Sequence, residues 1–186
     1  MYSFLATLKA GTQPDVVTLS DAKDHLNITH TYQDTLIQAY IDAAINYAEN
    51  YTSRSLKIHE VTATAAAFCE TITLEKTPYS SGLVIQYYNT NNALQTLAAS
   101  TYVINYVNDE PVIVFNEFEN LPEVYNRKDA VKITYEAGYE DEALIPKSYK
   151  QAIKLLLGQL YENRTDTVDK LPRCMNTLLR PYKKWD

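Results

Sequence analysis

Three histidines, a run of three carboxylates and two cysteines are the side chains of this 186-residue chain best suited to chemistry. His25, His30 and His59 are not spaced with cysteines or carboxylates as metal ligands are. Glu140, Asp141 and Glu142 could be imagined as a cation site or an acid/base pair. Adjacent side chains point apart, however, and three carboxylates beside a turn at Gly138 read as a solvated loop. Cys69 reads as a small hydrophobe in a strand, and no histidine or acid is placed to lower the pKa of Cys174. Two cysteines so far apart make no disulfide framework, so a reducing, cytoplasmic-type setting is the expectation. The four glycines are not grouped as a phosphate loop or dinucleotide fingerprint needs, and no serine lies in a nucleophile elbow. No catalytic residue, metal or cofactor is expected. An enzyme would need a site assembled from scattered residues such as His59, Glu75 and Tyr135.

The elements around these residues form a clear order. Residues 18–26 begin with Thr18 as N-cap and Asp21 three residues on, with Leu19, Ala22 and Leu26 apolar. Residues 33–53 repeat the device with Thr31 and Asp34 and carry a long stripe at helical spacing, from Leu36 and Ile37 to Ala48 and Tyr51. Between 58 and 137 the hydrophobic period changes to two. It is clearest where Val131, Ile133 and Tyr135 face in and Lys132, Thr134 and Glu136 face out. Short turns such as NTNNA and NDEP join consecutive strands, which predicts an antiparallel sheet. A last long helix follows Pro146, over 146–163. The fold class is therefore α+β: a small helical core with an inserted antiparallel β region.

That last helix is apolar beyond one stripe. Tyr149, Ala152, Ile153, Leu156, Leu157, Leu160 and Tyr161 share a face, Leu155 lies off it, and Gly158 sits in the interior. Gly costs about 1 kcal/mol against Ala there, so its presence points to a close approach. The chain's own elements or a neighbouring subunit could supply the second cover. Residues 165–186 form a tail that opens polar and ends in an apolar patch of Leu178, Leu179, Tyr182 and Trp185 beside Arg180. Pro181 predicts at most a short turn there. The patch is expected to dock on its own domain, a neighbour or a partner, to be mobile in the isolated protein, and to order on assembly.

Composition narrows the function. Residues 1–60 carry 4 Lys/Arg against 7 Asp/Glu, residues 61–145 carry 4 against 12, and residues 146–186 carry 9 against 4, for a total of −6. The acidic total argues against an ordinary nucleic-acid binder, while the acidic middle and basic end suit either solvated faces of one monomer or complementary patches for self-association or for different partners. No apolar run is long enough to span a membrane, and the first residues make a poor signal peptide. The chain holds 16 Tyr against 4 Phe. Tyrosine is enriched at interfaces, and its use on the helices as well as the strands leans towards an assembly protein.

Several segments in order carry a family resemblance. VTLSDAKDHLNI and DTLIQAYIDAAINYAENYTSRSL resemble the N-terminal helix pair of the head–tail connector (adaptor, head-completion) proteins of tailed bacteriophages. LVIQYYNTNNALQTLAASTYVINY, DAVKITYEAGY, IPKSYKQAIKLLLGQLYENR and the closing LLRPY are similar too. The resemblance runs over about 16–182 and implies a single connector domain at 16–164, with 1–15 as an N-terminal segment and 165–186 as a docking tail. It further implies a homo-oligomeric ring, commonly of twelve subunits, bound to the portal and to a stopper or tail protein. DNA would pass through its channel without specific binding. The protein would sit in the virion at the head–tail junction, after assembly in the host cytoplasm. On this reading the interaction residues are Tyr149, Ile153, Leu157, Gly158, Leu160 and Tyr161 of the last helix and Leu178, Leu179, Arg180, Tyr182 and Trp185 of the tail. Another neck or tail-completion protein, or less so a small enzyme, stays open as the alternative.

Overall fold

In a computed structural model of the chain, residues 2–11, 13–108, 110–163 and 173–184 are described. They form two compact units, Met1–Thr12 with Lys57–Gly138, and Gln13–Leu56 with Tyr139–Asp186.

The second of these is helical. Helix α1 (Leu19–Leu26) starts where the Thr18 hydroxyl accepts the Asp21 N–H (3.0 Å) and donates to the Asp21 carboxylate (2.9 Å). That bond to Thr18, helped by the Lys154 ammonium, holds the Asp21 carboxyl below its ordinary pKa. The helix stops at Asn27, which takes the left-handed conformation that Asn tolerates (φ 55°). Thr18→Ala removes the cap and is expected to lower stability by about 1 kcal/mol, read as a lower urea midpoint with unchanged slope. Helix α2 (Asp34–Thr52) buries Ile37, Ile41, Ala44, Ile45 and Ala48, the apolar stripe of the sequence. Its start differs from the expected capping box. Gln33 is the N-cap and makes no side-chain capping bond; its amide oxygen accepts from the Tyr161 hydroxyl, and Asp34 is engaged by Lys23 at 2.7 Å. Helix α3 (Lys147–Glu162) follows Pro146, and α4 (Arg173–Leu179) runs into a 3₁₀ turn, Arg180–Tyr182.

The other unit is built of strands, with two short 3₁₀ turns at Ala99–Thr101 and Phe118–Asn120. Its larger sheet has the order β1 (Ser3–Leu8), β2 (His59–Ala65), β8 (Val131–Ala137), β4 (Tyr79–Tyr88), β5 (Leu94–Thr96). The smaller has the order β3 (Thr71–Thr73), β7 (Glu110–Phe115), β6 (Tyr102–Val107). Every pairing is antiparallel. Central β8 alternates as its sequence dictates, with Val131, Ile133, Tyr135 and Ala137 buried between half-buried polar residues. They pack with Val61, Ile85, Ile72, Ile113 and Phe115 in one core drawn from both sheets. The helices are not interleaved among strands β2 to β8.

Two details depart from the sequence expectation. The N-terminal stretch is no mere leading segment: β1 pairs with β2 over its whole length, Ser3 opposite Thr64 and Leu8 opposite His59. Cys69 lies in the connection after β2 and not in a strand, half-buried against the β core. Three alanines, 65 to 67, precede it, and a run of small side chains carries no period of two.

Candidate interaction site

Helix α3 is covered from two sides by its own unit. Tyr149, Ala152, Ile153, Leu156 and Leu157 are buried in one cluster with Ile37, Ile41, Ala44 and Ala48 of α2 and with Met175 and Leu179 of α4. Tyr149 is fully buried, and burial pushes its phenol up to about 12. Its hydroxyl makes no well-formed hydrogen bond, although Thr52 is near enough to pull that value back slightly. The Thr52 proton goes instead to the Ala48 carbonyl at 2.7 Å.

The tail completes this core. Met175 and Leu179 are each 1% exposed, and Leu178 and Tyr182 pack partly buried against them. The Tyr182 ring lies 4.8 Å from that of Tyr149. Two bonds to main-chain carbonyls pin the turn: Arg54 Nε donates to the Tyr182 carbonyl (2.8 Å), and the Lys184 N–H donates to the Thr52 carbonyl (3.0 Å). The Lys183 ammonium stands 5.3 Å over the Tyr51 ring.

These positions re-sort the expected interaction residues. Tyr149, Ile153, Leu157 and Leu179 are core of their own unit, so as folded they offer no surface to a partner. Leu160, Tyr161, Leu178 and Tyr182 are partly covered by the same core; the Tyr161 hydroxyl is held by the Gln33 side chain. Arg180 alone of the set is exposed, and Trp185 lies outside the described residues. The tail was expected to carry at most a short turn and to dock on its own domain, a neighbour or a partner. Residues 173–179 instead form a helix because Met175, Leu178 and Leu179 fall at i, i+3 and i+4, and α3 receives them.

Gly158 is half-buried, and a Cβ built there would meet only His25 Nε2, at 3.8 Å. That is ordinary van der Waals contact, so packing among the described residues does not require glycine. Gly158 shares a stripe with exposed Gln151, half-buried Leu155 and exposed Glu162, at spacings of four, three and four. Sequence reading noted Leu155 as off the main stripe but missed this second line.

Of the residues weighed for catalysis, Tyr135 and His59 are bonded to main-chain groups. Burial raises the pKa of the Tyr135 phenol, and Glu75 lies near enough to help raise it. Tyr135 is fully buried, and its hydroxyl accepts the Lys76 N–H (3.1 Å) and donates to the Lys76 carbonyl (3.3 Å). His59 Nδ1 is bonded to the Lys57 carbonyl at 2.9 Å. Asp141 caps a 3₁₀ turn through the Ala143 N–H, and Glu142 pairs with Lys150, so that carboxylate run serves local structure. Among the described residues no cluster of His, Cys, Asp or Glu could hold a metal ion, and no helix is long and apolar enough to cross a membrane.

The β unit presents more open apolar surface than the helices do. Leu5 and Leu8 are exposed on edge strand β1, and Val103, Tyr106 and Val107 on edge strand β6. It also holds a cleft of about 300 Å³ beside residues 97–101 and 116–122. Single edge strands of mixed residue types do not announce such surfaces in sequence.

Comparison with known proteins places this architecture. No curated protein matches the chain. Three solved structures share the fold over 98% of this chain and 96% of theirs. They are the neck of an empty gene transfer agent (GTA) particle computed with C6 symmetry (18% identity, TM-score 0.76), the virion of the native GTA particle (20%, 0.77), and the neck of the native GTA particle computed with C12 symmetry (19%, 0.76). The model of the phage gp6-like head-tail connector proteins matches residues 16–121, from the approach to α1 through β7. With more than half its length so matched, the chain belongs to the phage gp6-like head–tail connector family.

Proposed function

We propose that the chain is a structural protein of the virion neck that closes into a ring, of twelve subunits, between the portal and a stopper or tail protein. The family match over residues 16–121 carries this reading. Likeness to neck structures computed with C6 and C12 symmetry supports the ring. A ring subunit buries two different surfaces, because its contacts are heterologous and close by rotation. The helical unit fills its own core, so those contacts come from what is left outside. The stripe of Gln151, Leu155, Gly158 and Glu162 is one such place. Glycine there costs the helix about 1 kcal/mol, and a close approach by a neighbouring copy accounts for it. The net charge of −6 suits a channel that passes DNA without retaining its phosphates.

Negative-stain imaging of the purified protein, alone and mixed with its cognate portal, tests the reading. Closed rings seated on the portal are expected. Particles that stay monomeric in both samples overturn it, and rings that ignore the portal favour another neck or tail-completion role. Gly158→Ala refines the test. It is expected to raise the melting temperature of the isolated chain by about 2–4 °C and to lower the yield of rings. A lower melting temperature places the close approach inside the chain and removes this stripe from the ring contact.

A further inference from the structure

The cleft in the β unit has the chemistry of a cation socket. Asn116, Glu117 and Asn120 line it above Leu97, Leu121 and Pro122. Asn116 uses its donors on the chain itself, Nδ2 to the Ser100 carbonyl (2.8 Å) and N–H to the Thr101 carbonyl (2.9 Å), which also ties the two walls together. Asn120 Nδ2 donates to Glu117 Oε2 at 2.7 Å. What remains for a ligand is rich in acceptors: Glu117 Oε1 and the amide oxygens of Asn116 and Asn120. One full negative charge lines the cleft, and exposed Glu119 and Glu123 add to it nearby. A floor of leucine and proline under such a rim suits a side chain with an apolar stem and a planar, donor-rich cationic head. Arginine is that side chain.

The same chain offers one. Arg180 is exposed and makes no ion pair among the described residues. It opens the 3₁₀ turn Arg180–Tyr182, where Pro181 fixes the backbone and the bonds from Arg54 and Lys184 hold the turn down. With the turn already pinned, binding has to order the arginine side chain and not its backbone.

We propose that the cleft beside Glu117 receives Arg180 of a second copy of the chain. Socket and arginine lie on different surfaces of each copy, as a head-to-tail contact that repeats around a ring requires. The inference rests on the ring reading above and names one of its two complementary surfaces.

Charge reversal in the full-length protein tests it. Glu117→Arg and Arg180→Glu are each expected to keep the wild-type circular dichroism spectrum. Each should raise the concentration needed for half-assembly about tenfold or more, measured by sedimentation velocity. Glu117→Gln, which keeps an acceptor for Asn120, should move it in the same direction by less. The double variant E117R/R180E, and an equimolar mixture of the two single variants, should both recover assembly, since each restores opposite charges across every contact. Glu119→Arg, outside the cleft, controls for bulk charge. Single variants that assemble like wild type, or a double variant that does not recover, overturn the socket and leave the ring reading standing. A wild-type protein that forms no ring, alone or with portal, overturns the ring reading itself and the socket with it.

Discussion

A chain ending at Asn163 is expected to lose the native packing of its helical unit, and not only its capacity to assemble. Met175 and Leu179 sit in the same cluster as Tyr149, Ile153 and Leu157. Cutting either back to alanine would cost about 2–5 kcal/mol. Removing both, with the flanking Leu178 and Tyr182, approaches the whole stability of an ordinary domain, about 5–15 kcal/mol. The cut also strips the Tyr149 ring of its neighbour at 4.8 Å and frees Arg54 Nε and the Thr52 carbonyl from their partners. Thermal unfolding of the truncated protein, followed by far-ultraviolet circular dichroism, should show the helical transition lowered by well over ten degrees or lost. Binding of a hydrophobic dye at room temperature should rise with it. An unchanged melt would mean that α4 docks without contributing to the fold.

Gly138→Ala should be as damaging in the other unit. Gly138 has φ 128°, where L side chains are strained, and an added Cβ would lie 2.2 Å from the Lys57 carbonyl oxygen and 2.7 Å from its carbon. Both atoms are backbone. Lys57 precedes β2 by two residues and Gly138 directly follows β8, where His59 pairs with Ala137. Neither strand can yield without disturbing that ladder, and the Gly138 N–H is itself bonded to the Pro78 carbonyl (2.9 Å). The expected cost is about 4 kcal/mol or more. Gly82→Ala is the matched control. Gly82 also has positive φ, 71°, but the nearest atoms to its Cβ would be those of the Glu136 side chain, at 3.5 Å and beyond. That change should cost about 1 kcal/mol. Equal urea midpoints for the two variants would refute the steric argument, since strain at positive φ would then account for everything.

Local periodicity revealed most of this fold. The stripe from Ile37 to Ala48 and the alternation from Val131 to Ala137 are buried as their spacing requires, because each repeats often enough to fix a face. What escaped was non-local. Strand β1 has no clean alternation of its own and becomes a strand through β2, far along the chain. Helix α4 was hidden by attention to Pro181, which follows the helix and does not break it. The interaction residues on α3 show the deeper limit. Spacing says that Tyr149, Ile153 and Leu157 need cover, but it cannot name the occupant, which proved to be the chain's own α2 and α4. The cleft beside Glu117 was invisible for a related reason. Its two walls are joined across the β6–β7 pairing, with Tyr102 opposite Phe115, and by the Asn116 bonds to Ser100 and Thr101.

The interleaving of the two units sets an order of events during translation. All of the β unit has left the ribosome once residue 138 emerges, whereas the helical unit needs residues 13–56 and also α3 and α4. At about 5–20 residues per second, the nascent α1 and α2 wait several seconds with Ile37, Ile41 and Ala48 uncovered while residues 57–138 are made. The β unit can therefore close first, and the helical unit closes only once α3 and α4 have followed. The surface most prone to misassociate in the cell is thus a transient one, the inner face of α2 on an unfinished polypeptide, which a holdase chaperone would recognise and the completed protein no longer shows.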